Sequence, residues 1–221
     1  MNIKILCRLK SIKTANLKNI LLKYGNVDIV EDIGETKKEY SNLCSSNLNP
    51  ITSWDRSFYD IKSEKTVFIE DDVAGNQETF DNLFKIVESN DSELFSSYIN
   101  KKNQSSNWFW WQQYENDDSL KNLTLYQSYN PFCVLNGNLI DKVLSFRDKN
   151  KKFIFHEILF ASLASTKFDF HKFNKEIDMK WYHHYSGIAY KNSRENKLHH
   201  PIKKDDLHSF ICLNSLTGSN F

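Results

Sequence analysis

Thr66-Val67-Phe68-Ile69-Glu70-Asp71-Asp72-Val73-Ala74-Gly75 is the stretch on which the reading of this chain turns. Its first four residues are β-branched or aromatic and read as a buried strand. The strand ends on three adjacent carboxylates, where turn residues are the usual stop. Side chains so close repel one another when ionised, and together they favour a compensating cation held through oxygen.

The order of elements around this strand predicts the architecture. Upstream, Ile3 to Arg8 reads as a strand, and Asn16 to Tyr24 carries Leu17, Ile20 and Leu21 at helical spacing before Gly25 stops it. Val27 to Val30 is a second strand. A polar helical stretch over Glu35 to Leu43, a loop with Pro50 and a helix over Ser53 to Ile61 lead into the acidic strand. The β-α-β-α-β order predicts a Rossmann-like parallel sheet. Downstream, Phe80, Leu83, Phe84 and Val87 form a helical stripe, and Leu94 to Ile99 reads as a further strand. Periodicity is lost between Asn100 and Tyr129, where Trp108, Trp110 and Trp111 suggest a binding loop. Helices are expected over Asn138 to Phe146 and Glu157 to Ser165, while the tail from His183 is too mixed to assign. The expectation is one domain over 1–221, with a nucleotide-binding half (1–100) and an acceptor and catalytic half (101–221).

Composition narrows the function classes. The 221 residues hold 29 basic and 28 acidic side chains, a net charge of +1, so no global field draws nucleic acid or an anionic membrane. Hydrophobic residues make up 40% and aromatics 14%, which suits a packed globule and not a disordered chain. Cys7, Cys44, Cys133 and Cys212 are scattered without CxxC spacing, so neither a zinc site nor a redox motif is supported and a reducing, cytoplasmic setting is expected. Met1 to Leu9 is interrupted by Lys4 and Arg8, unlike a secretory signal, and no apolar run reaches transmembrane length.

In open α/β sheets ligands bind outside the carboxyl ends of strands, which is where the acidic cluster falls. Alternation along an extended segment puts Glu70 and Asp72 on one face and Asp71 on the other. A solvated acidic turn is the plain alternative.

The segment Val67-Phe68-Ile69-Glu70-Asp71-Asp72-Val73 resembles, in a Glu-Asp-Asp version, the DxD-type motif of GT-A glycosyltransferases. Thr52-Ser53-Trp54-Asp55-Arg56 resembles the helix start that precedes that motif. Phe155-His156-Glu157-Ile158-Leu159-Phe160-Ala161 and His200-Pro201-Ile202-Lys203 are similar to late segments of the same enzymes. The resemblance implies a GT-A-like, Rossmann-type α/β sheet, mixed but mostly parallel and flanked by helices. It implies transfer of a sugar from a nucleotide-diphosphate-sugar donor, UDP-sugar foremost, to a hydroxyl of a glycan acceptor, with Mn²⁺ or Mg²⁺. It further implies that Asp72 holds the metal bridging the donor diphosphate, that Asp71 or Glu70 touches ribose or donor sugar, and that a late histidine, for which His200 is the best match and His184 the rival, completes the metal site.

Other candidates are open between two readings. Arg8 and Arg56 are suited to diphosphate or base contacts, since guanidinium offers planar donors to phosphate, or are ordinary surface arginines. Trp54 either stacks on the nucleotide base or belongs to the core. Glu157, at an expected helix start, is either the general base of an inverting displacement or a carboxylate favoured by the helix dipole. His156 either orients Glu157 and substrate or is a half-buried core histidine. Lys203 is suited to pair with phosphate. One of Trp110 and Trp111 is expected to meet a sugar, whose CH-rich face suits an indole platform, though core packing accounts for both equally. Two other functions fit part of the pattern. A metal-dependent phosphoesterase or nuclease needs further carboxylates and, for a nuclease, a basic track; a catalytically silent carbohydrate-binding relative needs neither metal nor base.

Overall fold

A computed structural model describes residues 1–32, 52–104, 107–114, 116–164, 169–173, 179–181 and 197–213. The expected polar helix over Glu35 to Leu43 and the Pro50 loop lie outside these residues, as does His184.

The strands are β1 (Asn2–Cys7), β2 (Asn26–Glu31), β3 (Thr66–Glu70), β4 (Leu94–Lys101), β5 (Tyr126–Leu135), β6 (Phe170–Lys172), β7 (Met179–Trp181) and β8 (Leu198–His200). The helices are α1 (Ile12–Leu21), α2 (Ser53–Arg56), α3 (Gln77–Glu88), α4 (Phe109–Tyr114), α5 (Gly137–Asn150), α6 (His156–Ala164) and α7 (Asp205–Leu213). Six strands form one sheet in the order β2-β1-β3-β5-β4-β6, and β7 pairs with β8 apart from it. β1 runs parallel to both β2 and β3, and β4 to β6, while β5 lies antiparallel between β3 and β4. The fold is therefore mixed α/β, Rossmann-like, with a mostly parallel sheet flanked by helices, as expected.

Local sequence explains the flanking elements. Ser11 caps α1 in a reciprocal box with Thr14, which satisfies amide groups the helix start leaves without partners. Leu17, Ile20 and Leu21 then face the sheet. At Gly25 a Cβ would lie 2.0 Å from the carbonyl oxygen of Met1, so only glycine lets the chain turn close enough for Asn26 to bond Met1 and open β2. In α3 the Asn76 side chain accepts from the amide of Thr79. The Phe80, Leu83, Phe84, Val87 stripe is fully buried, and each such side chain contributes about 1.5–3 kcal/mol.

Two apolar layers sandwich the sheet. Ile3, Ile5, Val67 and Ile69 point to the layer of α1, α3 and α7, with Leu17, Phe80, Leu207 and Ile211. Leu6 and Phe68 point to the opposite layer, filled by Trp54, Phe58, Leu139, Ile140, Val143, Ile158, Leu159 and Phe160 from α2, α5, α6 and the loop after α2.

Two expectations need correction. The helix over Ser53 to Ile61 stops at Arg56, and the chain leaves in turns. The stretch from Asn100 to Tyr129 is not an open binding loop: it holds α4 and the start of β5. The sequence reading passed over β5 because Gln127, Ser128 and Asn130 are polar and Pro131 interrupts the run. Pro131 is tolerated because the β4–β5 ladder breaks its register between Ser96 and Tyr98. There Ser96 Oγ donates to the Tyr129 carbonyl at 2.6 Å and accepts from the Tyr129 amide at 3.2 Å, replacing the missing ladder bonds.

Candidate functional site

The chain turns from α1 to β2 on one side of β1 and returns to β3 on the other, so the carboxyl ends of β1 and β3 flank a topological switch point. The acidic cluster lies there. The Asp71 amide bonds the Leu6 carbonyl at 2.9 Å, extending β3 past its last paired residue. This fixes the alternation of the three carboxylates.

The tail completes the site. Ala74 and His199 exchange backbone hydrogen bonds at 2.9 and 2.8 Å, and the Ile202 amide bonds the Asp72 carbonyl at 2.8 Å. The segment from β8 to Lys203 thus runs alongside 72–74 and brings His200 over the acids. His200 Nε2 lies 3.0 Å from Glu70 Oε2 and 3.1 Å from Asp72 Oδ1. Glu70, Asp72 and His200 form the group among the described residues whose donor atoms are close enough together to hold a metal ion.

Each of the three is also held from behind by a different element. Trp54 Nε1 donates to Glu70 Oε1 at 3.0 Å, Lys203 Nζ pairs with Asp72 Oδ2, and the Tyr129 hydroxyl meets His200 Nδ1 at 2.5 Å. What remains are Oε2, Oδ1 and Nε2, turned toward one another. Nε2 carries at most one proton and faces two carboxylates, so it cannot satisfy both; Asp72 Oδ1, in a side chain that is 8% exposed, makes no hydrogen bond of good geometry. Two carboxylate oxygens and one imidazole nitrogen are a sound donor set for a divalent ion. The imidazole favours Mn²⁺ over Mg²⁺, which prefers an all-oxygen shell.

The electrostatics follow. Burial pushes the Glu70 and Asp72 carboxyls up, but the hydrogen bond and charge of His200 outweigh it, with Lys203 added at Asp72, and both lie below the ordinary range. Burial works against the His200 cation, yet the close approach and negative charge of Asp72 and Glu70 raise it to about 9. Asp71 points away from this group. Burial and then the charge of Asp72 raise it to about 6.

Glu157 opens α6 at the same end of the sheet. Ser128 Oγ donates to its carbonyl at 3.1 Å, and the Asn130 amide approaches its Oε1 at 3.4 Å. Burial, then the negative charge of Glu70, raise its carboxyl to about 8, within the range where a carboxylate exchanges protons near neutrality.

Other expected residues take different places. Trp54 is buried, its indole stacked on His156 with centroids 3.7 Å apart, so it does not lie open to a nucleotide base; it holds Glu70 instead. His156 is buried between Trp54 and the Asn130 amide, and burial lowers it to about 3, which makes it a neutral core histidine and not a substrate contact. Trp111 is 2% exposed and packed edge-on against Trp108, so it is core. Trp110 is half-buried against Phe155, the residue before His156, with ring centroids 4.6 Å apart. Arg56 donates to the Glu31 carbonyl at the end of β2 and is committed there, not to a diphosphate. Arg8 is exposed just past β1, at the carboxyl end where the acids lie.

Sequence reasoning missed Tyr129 and Asn130. The single available signal was a polar pair beside Pro131, which read as loop.

Compared with protein-family models, with curated proteins and with solved structures, the chain gives no match. Among the described residues no helix is long and apolar enough to cross a membrane.

Proposed function

We propose that the chain is a metal-dependent glycosyltransferase that moves a sugar from a nucleotide-diphosphate-sugar, UDP-sugar foremost, to a hydroxyl of a glycan acceptor. The observation that carries this reading is the convergence of Glu70 Oε2, Asp72 Oδ1 and His200 Nε2 at the carboxyl ends of β1 and β3, with Glu157 close enough to feel the charge of Glu70. A divalent ion held there supplies charge neutralisation at the leaving oxygens of a nucleoside diphosphate.

The residues divide the work. Glu70, Asp72 and His200 hold the ion. Lys203, whose side chain is 67% exposed and reaches Asp72, would offer its ammonium to a diphosphate oxygen beside the ion. Glu157 as carboxylate accepts the proton of the acceptor hydroxyl, the role it has in an inverting displacement. Trp110 offers a half-exposed indole beside Phe155 for the acceptor sugar.

The test is a thermal-shift screen of UDP-, GDP- and dTDP-sugars with and without Mn²⁺. A ligand that binds only the native state raises its melting temperature, so one donor class should stabilise the protein and do so only with the ion. No stabilisation by any donor in Mn²⁺, with stabilisation by a phosphate monoester instead, would replace the transferase with a phosphoesterase.

A further inference from the structure

We infer that Tyr129 and Trp54 are positioning residues for a three-ligand cation site: Tyr129 holds the His200 imidazole by Nδ1, and Trp54 holds the Glu70 carboxylate by Oε1. This rests on the metal-dependent reading of the site, and it places Glu70 among the ion's ligands and not on the donor ribose.

An imidazole that ligates through Nε2 keeps its proton on Nδ1, and in a site as enclosed as this one that N–H needs an acceptor. The Tyr129 oxygen stands 2.5 Å from Nδ1, on a ring held edge-on to the imidazole with centroids 5.8 Å apart. Tyr129 is aimed there by the register break of β5 against β4, which Ser96 repairs through both the amide and the carbonyl of Tyr129. The same irregularity that accommodates Pro131 thus sets the direction of Tyr129, and bulges of this kind commonly re-aim side chains at sites.

Trp54 acts on the second ligand by the same logic. Indole Nε1–H is a donor only, so its 3.0 Å bond to Oε1 leaves Oε2 as the oxygen turned toward His200. The ring cannot swing away, because it is stacked on His156 on one side and packed against Phe68 and Phe160 in the core.

Titration of the full chain with Mn²⁺, followed by the loss of the free-ion electron paramagnetic resonance signal, tests the inference. Tyr129→Phe should bind Mn²⁺ about 10- to 100-fold more weakly than wild type, the usual cost of losing an outer partner of a metal ligand. Its melting temperature in EDTA should stay close to wild type. Because the hydroxyl acts on the imidazole, Mg²⁺ affinity should fall less than Mn²⁺ affinity; a merely structural hydroxyl would lower both alike. Trp54→Phe, acting on a carboxylate, should weaken both ions together. Wild-type Mn²⁺ affinity in folded Tyr129→Phe overturns the inference while leaving the metal site standing, provided Asp72→Asn binds none. Should Tyr129→Phe not fold, unchanged Mn²⁺ affinity in Trp54→Phe overturns it equally. If the wild-type chain binds no Mn²⁺, the metal-dependent reading itself is wrong and this inference falls with it.

Discussion

The acidic exit of β3 and the tryptophan segment of α4 both stand out in the sequence, yet the tertiary structure treats them in opposite ways. Glu70 and Asp72 gather Trp54, Tyr129, and His200 with Lys203 around them from three separate parts of the chain. Trp111, by contrast, is absorbed into the core, while Trp108 and Trp110 pack against it and keep partly open rings. Charge that has nowhere to be neutralised locally demands a partner. Aromatic surface is satisfied by burial, and burial needs no ligand. A carboxylate cluster at a strand end is thus the stronger sign of a site, and an aromatic cluster the weaker.

The widest separation of the two regions is expected from Asp72→Asn. Calorimetry should show Mn²⁺-dependent donor binding reduced about a thousandfold or more, some 4 kcal/mol, with the circular dichroism spectrum of the fold preserved. Unchanged donor affinity would make the acidic end as structural as the aromatic one. Trp111→Ala should do the reverse. It should cost about 3–4 kcal/mol in urea unfolding, as emptying a large buried aromatic site does, and a variant of wild-type stability would show that Trp111 is not core.

Glu157 sharpens the comparison through pH. Its carboxyl is raised from 4.5 to about 8, so between these values the folded chain keeps a proton that the unfolded chain has released. Stability therefore falls as pH rises through that window, by on the order of a few kcal/mol in total. In EDTA, Glu157→Gln should flatten the decline of melting temperature between pH 5 and 8 relative to wild type, and parallel curves would refute the raised value. The same variant should bind donor normally and transfer very little sugar. The smallest effect belongs to Trp110→Ala: a stability loss under about 1 kcal/mol, since the ring is already half exposed, with a raised KM for acceptor. An unaltered acceptor KM would remove the last tryptophan from the site.

Legibility in the sequence followed the range of the interactions involved. Among the described residues of the first hundred, the strand–helix alternation was readable because hydrophobic period and helix stops act over a few residues, as at Leu17, Ile20 and Leu21 before Gly25 and in the α3 stripe. β5 was not, because Ser128 and Asn130 find their partners in a distant segment, the Ser128 hydroxyl on the Glu157 carbonyl and the Asn130 side-chain amide on the His156 carbonyl. His200 was picked out by its resemblance in a Pro-Ile-Lys context, while the role of Tyr129 has no local signature at all: it depends on the ladder shift against β4, some thirty residues away in sequence.

By itself, then, the sequence determined the α/β alternation, the buried strand Thr66–Glu70 and the presence of Glu70 and Asp72 on one face of its exit, since these follow from backbone pleat and hydrophobic period. The tertiary structure alone decided which groups meet those carboxylates. It laid the chain from β8 to Lys203 along 72–74, turned Trp54 into the support of Glu70, and buried Trp111. The physical reason is that contacts between distant segments are fixed by the packing of whole layers and by the need to satisfy buried charge, and neither is written in the spacing of neighbouring residues.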